Sequence, residues 1–460
     1  MEIKSIWSKY SSAELEELEM LSKDYKEFLD GGKTERECID LAKTMAIEAG
    51  YKDLNTYIDT DQSLKVGDKI FATHMNKTIV LFEIGSDDIR KGMNILGAHV
   101  DSPRLDVKTN PLYESNELAY LDTHYYGGIK KYQWLATPLS LHGVVAKKDG
   151  SVIKINIGEN EEDPVFVVTD LLPHLDKGLS EKKANEFVNG EKLDLLIGNL
   201  PFKDAEKDGV KETVLKILEK HYHFAEEDFL SAELEIVPAG KARDLGLDRS
   251  MILAYGQDDR VCAYTSLLGM LETSDVERTT CTLLVDKEEI GSEGATGMES
   301  MFFENTVAEV VNLLGFSDNL AVRRTMQNST MLSSDVNAAF DPLFADVYEP
   351  KNSSFLAHGL VFNKFTGARG KSGANDANAE YIAKLRKVLD DNEVSFQLAE
   401  LGAVDIGGGG TIAFLMAKYG MSVIDAGVAV LSMHALYEGT SKADIYEAYK
   451  GYKAFLKDMR

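Results

Sequence analysis

The stretch Cys281-Thr-Leu-Leu-Val-Asp-Lys-Glu-Glu-Ile-Gly-Ser-Glu-Gly294 changes character halfway along. Cys281 to Val285 is a short apolar, β-prone run, and it meets an acidic corner at Asp286, Glu288 and Glu289 before two glycines. Buried strands of open α/β sheets end this way, delivering polar side chains to the rim where such folds keep their chemistry. Glu288 and Glu289 are adjacent, so their side chains diverge and suit different tasks: one can hold a cation while the other handles a proton. A solvated acidic turn is the simpler reading of an isolated Glu-Glu pair. The ends of the other apolar runs decide between the two.

Working outward, Met93 to Pro103 is another apolar run, ending in His99 and Asp101. A carboxylate two residues beyond a histidine is placed to orient the imidazole of a metal ligand. Met251 to Tyr255 reads as a strand, followed by Gly256-Gln257-Asp258-Asp259-Arg260 and a helical stripe through Val261, Tyr264, Leu268 and Leu271. One aspartate at a strand-to-helix corner caps the helix; a second beside it exceeds what a cap needs. Ser329 to Ala339 carries Asp335 among small residues, where alone it reads as a helix cap, and Ser432-Met433-His434 delivers a further histidine. Gly407 to Gly410, ahead of Thr411, sets bare backbone where a ligand or another chain must come close. Gly367 to Asp376 contains Gly-Lys-Ser, but Phe365 stands where a phosphate loop needs its first glycine, which excludes that motif.

At 460 residues the chain has room for two domains, or one large domain with an insertion. A formal net charge of −26 excludes the basic footprint that nucleic acid or an anionic membrane would require. Cys38, Cys262 and Cys281 lie far apart in apolar contexts, which argues against zinc fingers and disulfides and fits a reducing compartment. Met1 to Lys9 lacks a leader's apolar block, and Lys418 and Asp425 break the most apolar region, Gly410 to Leu436, into runs too short to span a bilayer. The expectation is a soluble cytoplasmic protein.

Two capping boxes, Ser11 with Glu14 and Thr34 with Glu37, open helical stripes that stop at Gly31-Gly32 and Gly50. Strands follow near Lys69 to Ala72 and Thr78 to Ile84. From Arg104 to Arg243 the character is β-rich: strands are expected at Leu139 to Ala146, Ile153 to Ile157, Val165 to Val168 and Leu234 to Val237, with charged helical material over Asp176 to Asp228. His174, His221 and His223, within this interval, have no partners at ligand spacing and read as structural or surface residues. Neither flank closes a fold alone, so the expectation is an α/β protein divided as 1–103 and 244–460, interrupted by an inserted β-rich domain over 104–243. The last helix, Ser441 to Met459, is amphipathic.

Together the run-ends supply His99, Asp258, Glu288, Glu289, Asp335 and His434. Mixed imidazole and carboxylate donors suit zinc, cobalt or manganese. A bridging carboxylate lets five side chains build a paired site with cations roughly 3.5–4 Å apart. One further carboxylate must then carry a proton from water to the leaving amine.

Gly97-Ala-His-Val-Asp-Ser-Pro103, Gly256-Gln-Asp-Asp-Arg260, Glu288-Glu-Ile-Gly-Ser292, Ser334-Asp335 and Met433-His434 resemble, in order and over nearly the whole chain, the aspartyl aminopeptidase / aminopeptidase I family of dinuclear zinc metallopeptidases. The resemblance implies a three-layer α/β/α metallopeptidase domain with a mixed sheet and an inserted dimerisation domain. It implies that His99 and Asp335 hold one of two divalent ions, that Glu289 and His434 hold the other, and that Asp258 bridges them. Asp101 would orient His99, and Glu288 would be general base and acid. Zinc is the expected metal, with cobalt and manganese as alternatives. The implied substrate is a peptide with a free N-terminus, and the implied assembly a homo-oligomer, a dodecamer built from dimers. In eukaryotic aspartyl aminopeptidases histidines follow the fourth metal-ligand motif; here Val336-Asn-Ala-Ala-Phe340 has none, and Gly178 stands where the resemblance leads one to expect another in the inserted domain. An acidic substrate preference therefore does not carry over, although Arg323, Arg324, Lys364, Arg369 and Lys371 offer cations for one. The runner-up chemistry is a dinuclear amidase or deacylase acting on N-acyl amino acids.

Overall fold

Asn94–His99 forms a strand whose every residue is buried. Leu96 and Ala98 enter one apolar core with Leu284 and Leu332, while Ile95 enters another with Cys281, Leu283 and Met331. Strands covered on both faces carry no polar alternation, which is why these segments read as unbroken apolar runs. The computed structural model describes residues 5–460. Residues 1–4, part of the N-terminal stretch read for a leader, lie outside it.

The described chain divides into two compact units. The first comprises the residues up to Asp101, Ala242–Met433 and Tyr437–Arg460. Its main sheet uses β1 (Lys52–Asp53), β2 (Lys69–His74), β3 (Thr78–Glu83), β4 (Asn94–His99), β5 (Thr280–Val285), β6 (Thr330–Ser334), β7 (Leu360–Asn363), β8 (Phe396–Ala399) and β9 (Ser422–Gly427), in the order β1-β2-β3-β5-β4-β6-β9-β7-β8. The centre, β5-β4-β6-β9, is parallel, whereas β3 and β7 pair antiparallel to their inner neighbours, so the sheet is mixed.

Helices cover both faces. On one side lie α1 (Ser12–Gly31), α2 (Glu35–Glu48), α3 (Gln257–Leu271), α5 (Ala379–Asp391) and α6 (Lys442–Asp458); on the other lies α4 (Phe302–Leu313) with the short helix Ala413–Ala417. This is the three-layer arrangement that the family resemblance implied. Both expected capping boxes form, with Ser11 and Thr34 accepting from the Glu14 and Glu37 amides. α3 is buried around nearly its whole circumference, from Gln257 to Leu267.

A smaller five-stranded sheet in the same unit links Arg243–Leu245, Met251–Ala254, Glu438–Ser441, Ala429–Leu431 and Asn337–Ala338 in that order. Within it Ala254 pairs with Glu438.

The second unit comprises Ser102–Lys241 with His434–Leu436. Its six strands, all antiparallel, run in the order Val152–Ile157, Leu139–Ala146, Ala232–Pro238, Arg104–Ser115, Leu118–Tyr126 and Leu195–Gly198. Two expectations need correction here. Val165 to Val168 does not form a strand: Phe166, Val167 and Val168 bridge singly to Leu139, Leu196 and Leu135, three different partners that never extend into a ladder. The interval Asp176 to Asp228 is not uniformly helical, because Leu195–Gly198 joins the sheet and the one long helix is Gly209–Tyr222. No helix among the described residues is long and apolar enough to cross a membrane.

Candidate metal centre

Strand register gathers the polar run-ends of the main sheet. Val285, the last residue of β5, pairs with His99, the last of β4, so the acidic corner and the histidine leave the sheet abreast. On the other side of β4, Ser333 pairs with Gly97, and Asp335 and His99 each stand two residues beyond that pair. Asp335 is not a helix cap; it sits between β6 and the short strand Asn337–Ala338, with its amide donating to the Ala426 carbonyl at 3.3 Å.

His99 is the hub. Its Nε2 lies 3.3 Å from Asp258 Oδ1, 3.9 Å from Glu288 Oε2 and 4.0 Å from Asp335 Oδ1. Its Nδ1 faces the Asp101 carbonyl oxygen at 3.1 Å and the Asp101 carboxylate at 3.4 Å. Two acceptors around Nδ1 favour a proton there, which leaves Nε2 to meet the carboxylates. Donor atoms of His99, Asp258 and Glu289 lie within 4.8 Å of one another, and so do those of His99, Glu288 and Asp335.

Asp101 does more than the sequence suggested. Besides facing His99, its fully buried carboxylate accepts the Glu288 amide on Oδ1 and the Glu289 amide on Oδ2, both at 3.1 Å. It therefore ties down the glutamate turn, which Lys287 and Gly291 flank with φ of +70° and +99°.

Asp258 is held by its motif neighbour Gln257 and by Glu438, which the sequence did not single out. Its amide donates to Glu438 Oε2 at 2.9 Å, and the Gln257 side chain donates to the carbonyls of Ile252 and Glu438. Asp259 accepts the His99 amide at 3.4 Å. The Arg260 guanidinium donates to the carbonyls of Val100 and Lys33. Gln257 and Arg260 lay inside a motif already noticed, but Glu438 follows His434 in no recognisable pattern.

Burial, the largest influence on the His99 imidazole, pushes its pKa down, yet Asp101 and Asp258 together with Glu288 hold it well above its usual range. Asp335 is pushed well above the usual carboxylate range by burial and then by Glu288 and Asp259. Asp286 rises to about 6 through burial and its neighbours Glu35 and Asp101. Imidazole and carboxyls are thus raised together, which marks a cluster that draws positive charge.

Of the seven expected site residues, His99, Asp101, Asp258, Glu288, Glu289 and Asp335 belong to the first unit and stand together. His434 belongs to the second unit, where it has a left-handed φ of +62° and where a Cβ added at Gly128 would stand 3.3 Å from its Nδ1.

An α/β/α fold with acidic and imidazole donors at the C-terminal ends of parallel strands is that of a metallohydrolase. Residues 28–456 match the model of the M18 peptidases, described as aminopeptidase I zinc metalloproteases, and the chain belongs to that family. It is 55% identical over 459 residues to a Clostridium acetobutylicum relative named as a probable M18 family aminopeptidase 1, covering 99% of this chain and 98% of the relative. The crystal structure of aminopeptidase I from Clostridium acetobutylicum aligns over 100% of both chains with a TM-score of 0.92 and 54% identity. That of an M18 aminopeptidase from Thermotoga maritima aligns over 99% of both chains with a TM-score of 0.94 and 44% identity. The protein is therefore a peptide-bond hydrolase of the aminopeptidase class.

Proposed function

We propose that this aminopeptidase is of the dinuclear type, with Glu288 as its general base, and that it releases the first residue from peptides whose α-amine is free. The observation that carries the reading is the pair of overlapping donor groups around His99, each spanning no more than 4.8 Å. Nitrogen and oxygen donors without a thiolate fit zinc, and equally cobalt or manganese. His99 and Asp335 would hold one cation, Glu289 and His434 the other, and Asp258 would bridge them. Bound there, two such cations supply Lewis acidity toward the scissile carbonyl and make water a usable nucleophile at neutral pH.

The side chains divide the remaining work. Glu288 accepts a proton from the attacking water and returns it to the departing nitrogen, so an O–H bond and the C–N bond break while a C–O bond and an N–H bond form. Asp101 fixes the imidazole through Nδ1 and the glutamate turn through two amides, which keeps base and ligands in one register. The segment 104–243 is proposed as an inserted dimerisation domain, the assembly as a homo-oligomer (a dodecamer built from dimers), and the location as cytoplasmic. Family resemblance supports these three points.

Two measurements test the reading. Metal analysis of protein stripped by chelation and then reconstituted should give two divalent ions per chain. Glu288→Gln should keep both and lose about 10²–10⁴ in kcat; near-normal turnover would remove Glu288 from the mechanism. A free-amine peptide should be cleaved and its N-acetylated twin left intact, whereas cleavage of both would point to a general amidase.

A further inference from the structure

The ligand proposed to bridge the two cations, Asp258, stands on irregular backbone. It stands two residues after Gly256, which has φ +70°, and has itself φ −81° and ψ +105°, outside helical values although α3 has nominally begun. The first amides of a helix have no partner within it and need an acceptor from elsewhere. For Asp258 that acceptor is the carboxylate of Glu438, 180 residues away in sequence and 2.9 Å away in space.

Glu438 is itself firmly placed. It is 1% exposed, opens the strand Glu438–Ser441 and pairs directly with Ala254, the residue from which the chain turns toward Asp258. Gln257, fully buried, spans the same gap by donating to the Ile252 carbonyl at 3.1 Å and to the Glu438 carbonyl at 2.5 Å. The turn is therefore gripped twice from one strand: by the Glu438 side chain at Asp258 and by the Glu438 backbone at Gln257. A carboxylate is the strongest protein acceptor for a backbone N–H, and its grip tightens when water is excluded.

We propose that Glu438 is a positioning residue for the metal centre: it touches neither cation nor substrate but aims Asp258 by holding its amide. The proposal rests on the reading of Asp258 as a metal ligand. Outer partners that hold a ligand in place typically contribute 10–100-fold to metal affinity, and that is the size expected here.

The test is a zinc competition titration of the full-length apoprotein against a chromophoric chelator, with unfolding midpoints measured in parallel. Glu438→Ala should bind zinc about 10–100-fold more weakly. Glu438→Gln keeps an oxygen able to accept the Asp258 amide and should stay within about 3-fold of the unaltered protein. An alanine variant with a lowered unfolding midpoint but undiminished zinc affinity would reduce Glu438 to a structural residue and overturn the proposal. Should the alanine variant fail to fold, glutamine decides, because a loss of about 10-fold or more there would show that charge rather than the held amide matters. If the unaltered protein takes up no zinc, the metal-centre reading itself fails, an outcome distinct from the failure of Glu438 alone.

Discussion

Replacing Asp101 with alanine removes three contacts at once: the amides of Glu288 and Glu289, each at 3.1 Å, and the Nδ1 face of His99 at 3.4 Å. A hydrogen bond to a charged acceptor contributes about 1.5–3 kcal/mol net, so two set an upper bound of about 3–6 kcal/mol. Both amides are only partly buried, and water entering the vacated space would recover some of this. A loss of about 2–4 kcal/mol is therefore expected for Asp101→Ala. Asp101→Asn keeps one acceptor oxygen and should lose about half as much, roughly 1–2 kcal/mol. Because the same carboxylate positions the proposed base, kcat should fall by about 10–100-fold in the alanine variant. The assay pairs urea unfolding of zinc-saturated protein with steady-state kinetics on an aminoacyl fluorogenic substrate. An alanine variant that kept both its unfolding midpoint and its kcat would refute the clamp. One that lost zinc affinity without losing stability would confine Asp101 to the imidazole.

Asp425 is buried in β9 and accepts the Thr411 hydroxyl at 2.6 Å, and burial pushes its pKa up to about 7 from an ordinary 3.8. The folded chain thus binds this proton more tightly than the unfolded one. The group's contribution to stability is complete below about pH 4 and is lost as pH rises toward 7. At about 1.36 kcal/mol per unit, Asp425→Asn should be more stable than the unaltered protein by up to about 4 kcal/mol at pH 8, with the difference vanishing near pH 4. Urea midpoints at both pH values check this, and a variant equally destabilised at each would contradict it. Chelation should lower the unfolding midpoint: ligand present at 1,000 times its Kd stabilises by about 4 kcal/mol per site. A midpoint indifferent to chelator and zinc would mean that no cation is held.

The legible parts of this chain were those in which chemistry and periodicity coincide within a few residues. His99 with Asp101, Asp258 with Asp259, and Glu288 with Glu289 each end an apolar run; parallel pairing of β5, β4 and β6 brings the first and last of these ends together with Asp335, whereas Asp258 arrives from Met251–Ala254 of the smaller sheet. Asp335 taken alone reads as a helix cap, because a strand-to-strand corner and a helix cap use the same small residues. Val165 to Val168 failed for a related reason: β-prone composition fixes a residue's own geometry, whereas a ladder also requires a partner to run alongside. Glu438 stayed hidden because nothing near it in sequence shares its task. Its partner lies 180 positions away, and the bond goes to a backbone amide, which every residue but proline possesses. A ligand advertises itself by its side chain, but the residue that aims a ligand binds to main chain, and main chain leaves no mark on the sequence. Positioning residues of metal centres are therefore the class that coordinates add to sequence reading, and Asp101 illustrates the same point from the other side. Its place beside His99 was readable, yet its hold on the glutamate turn, through two amides about 190 positions downstream, was not.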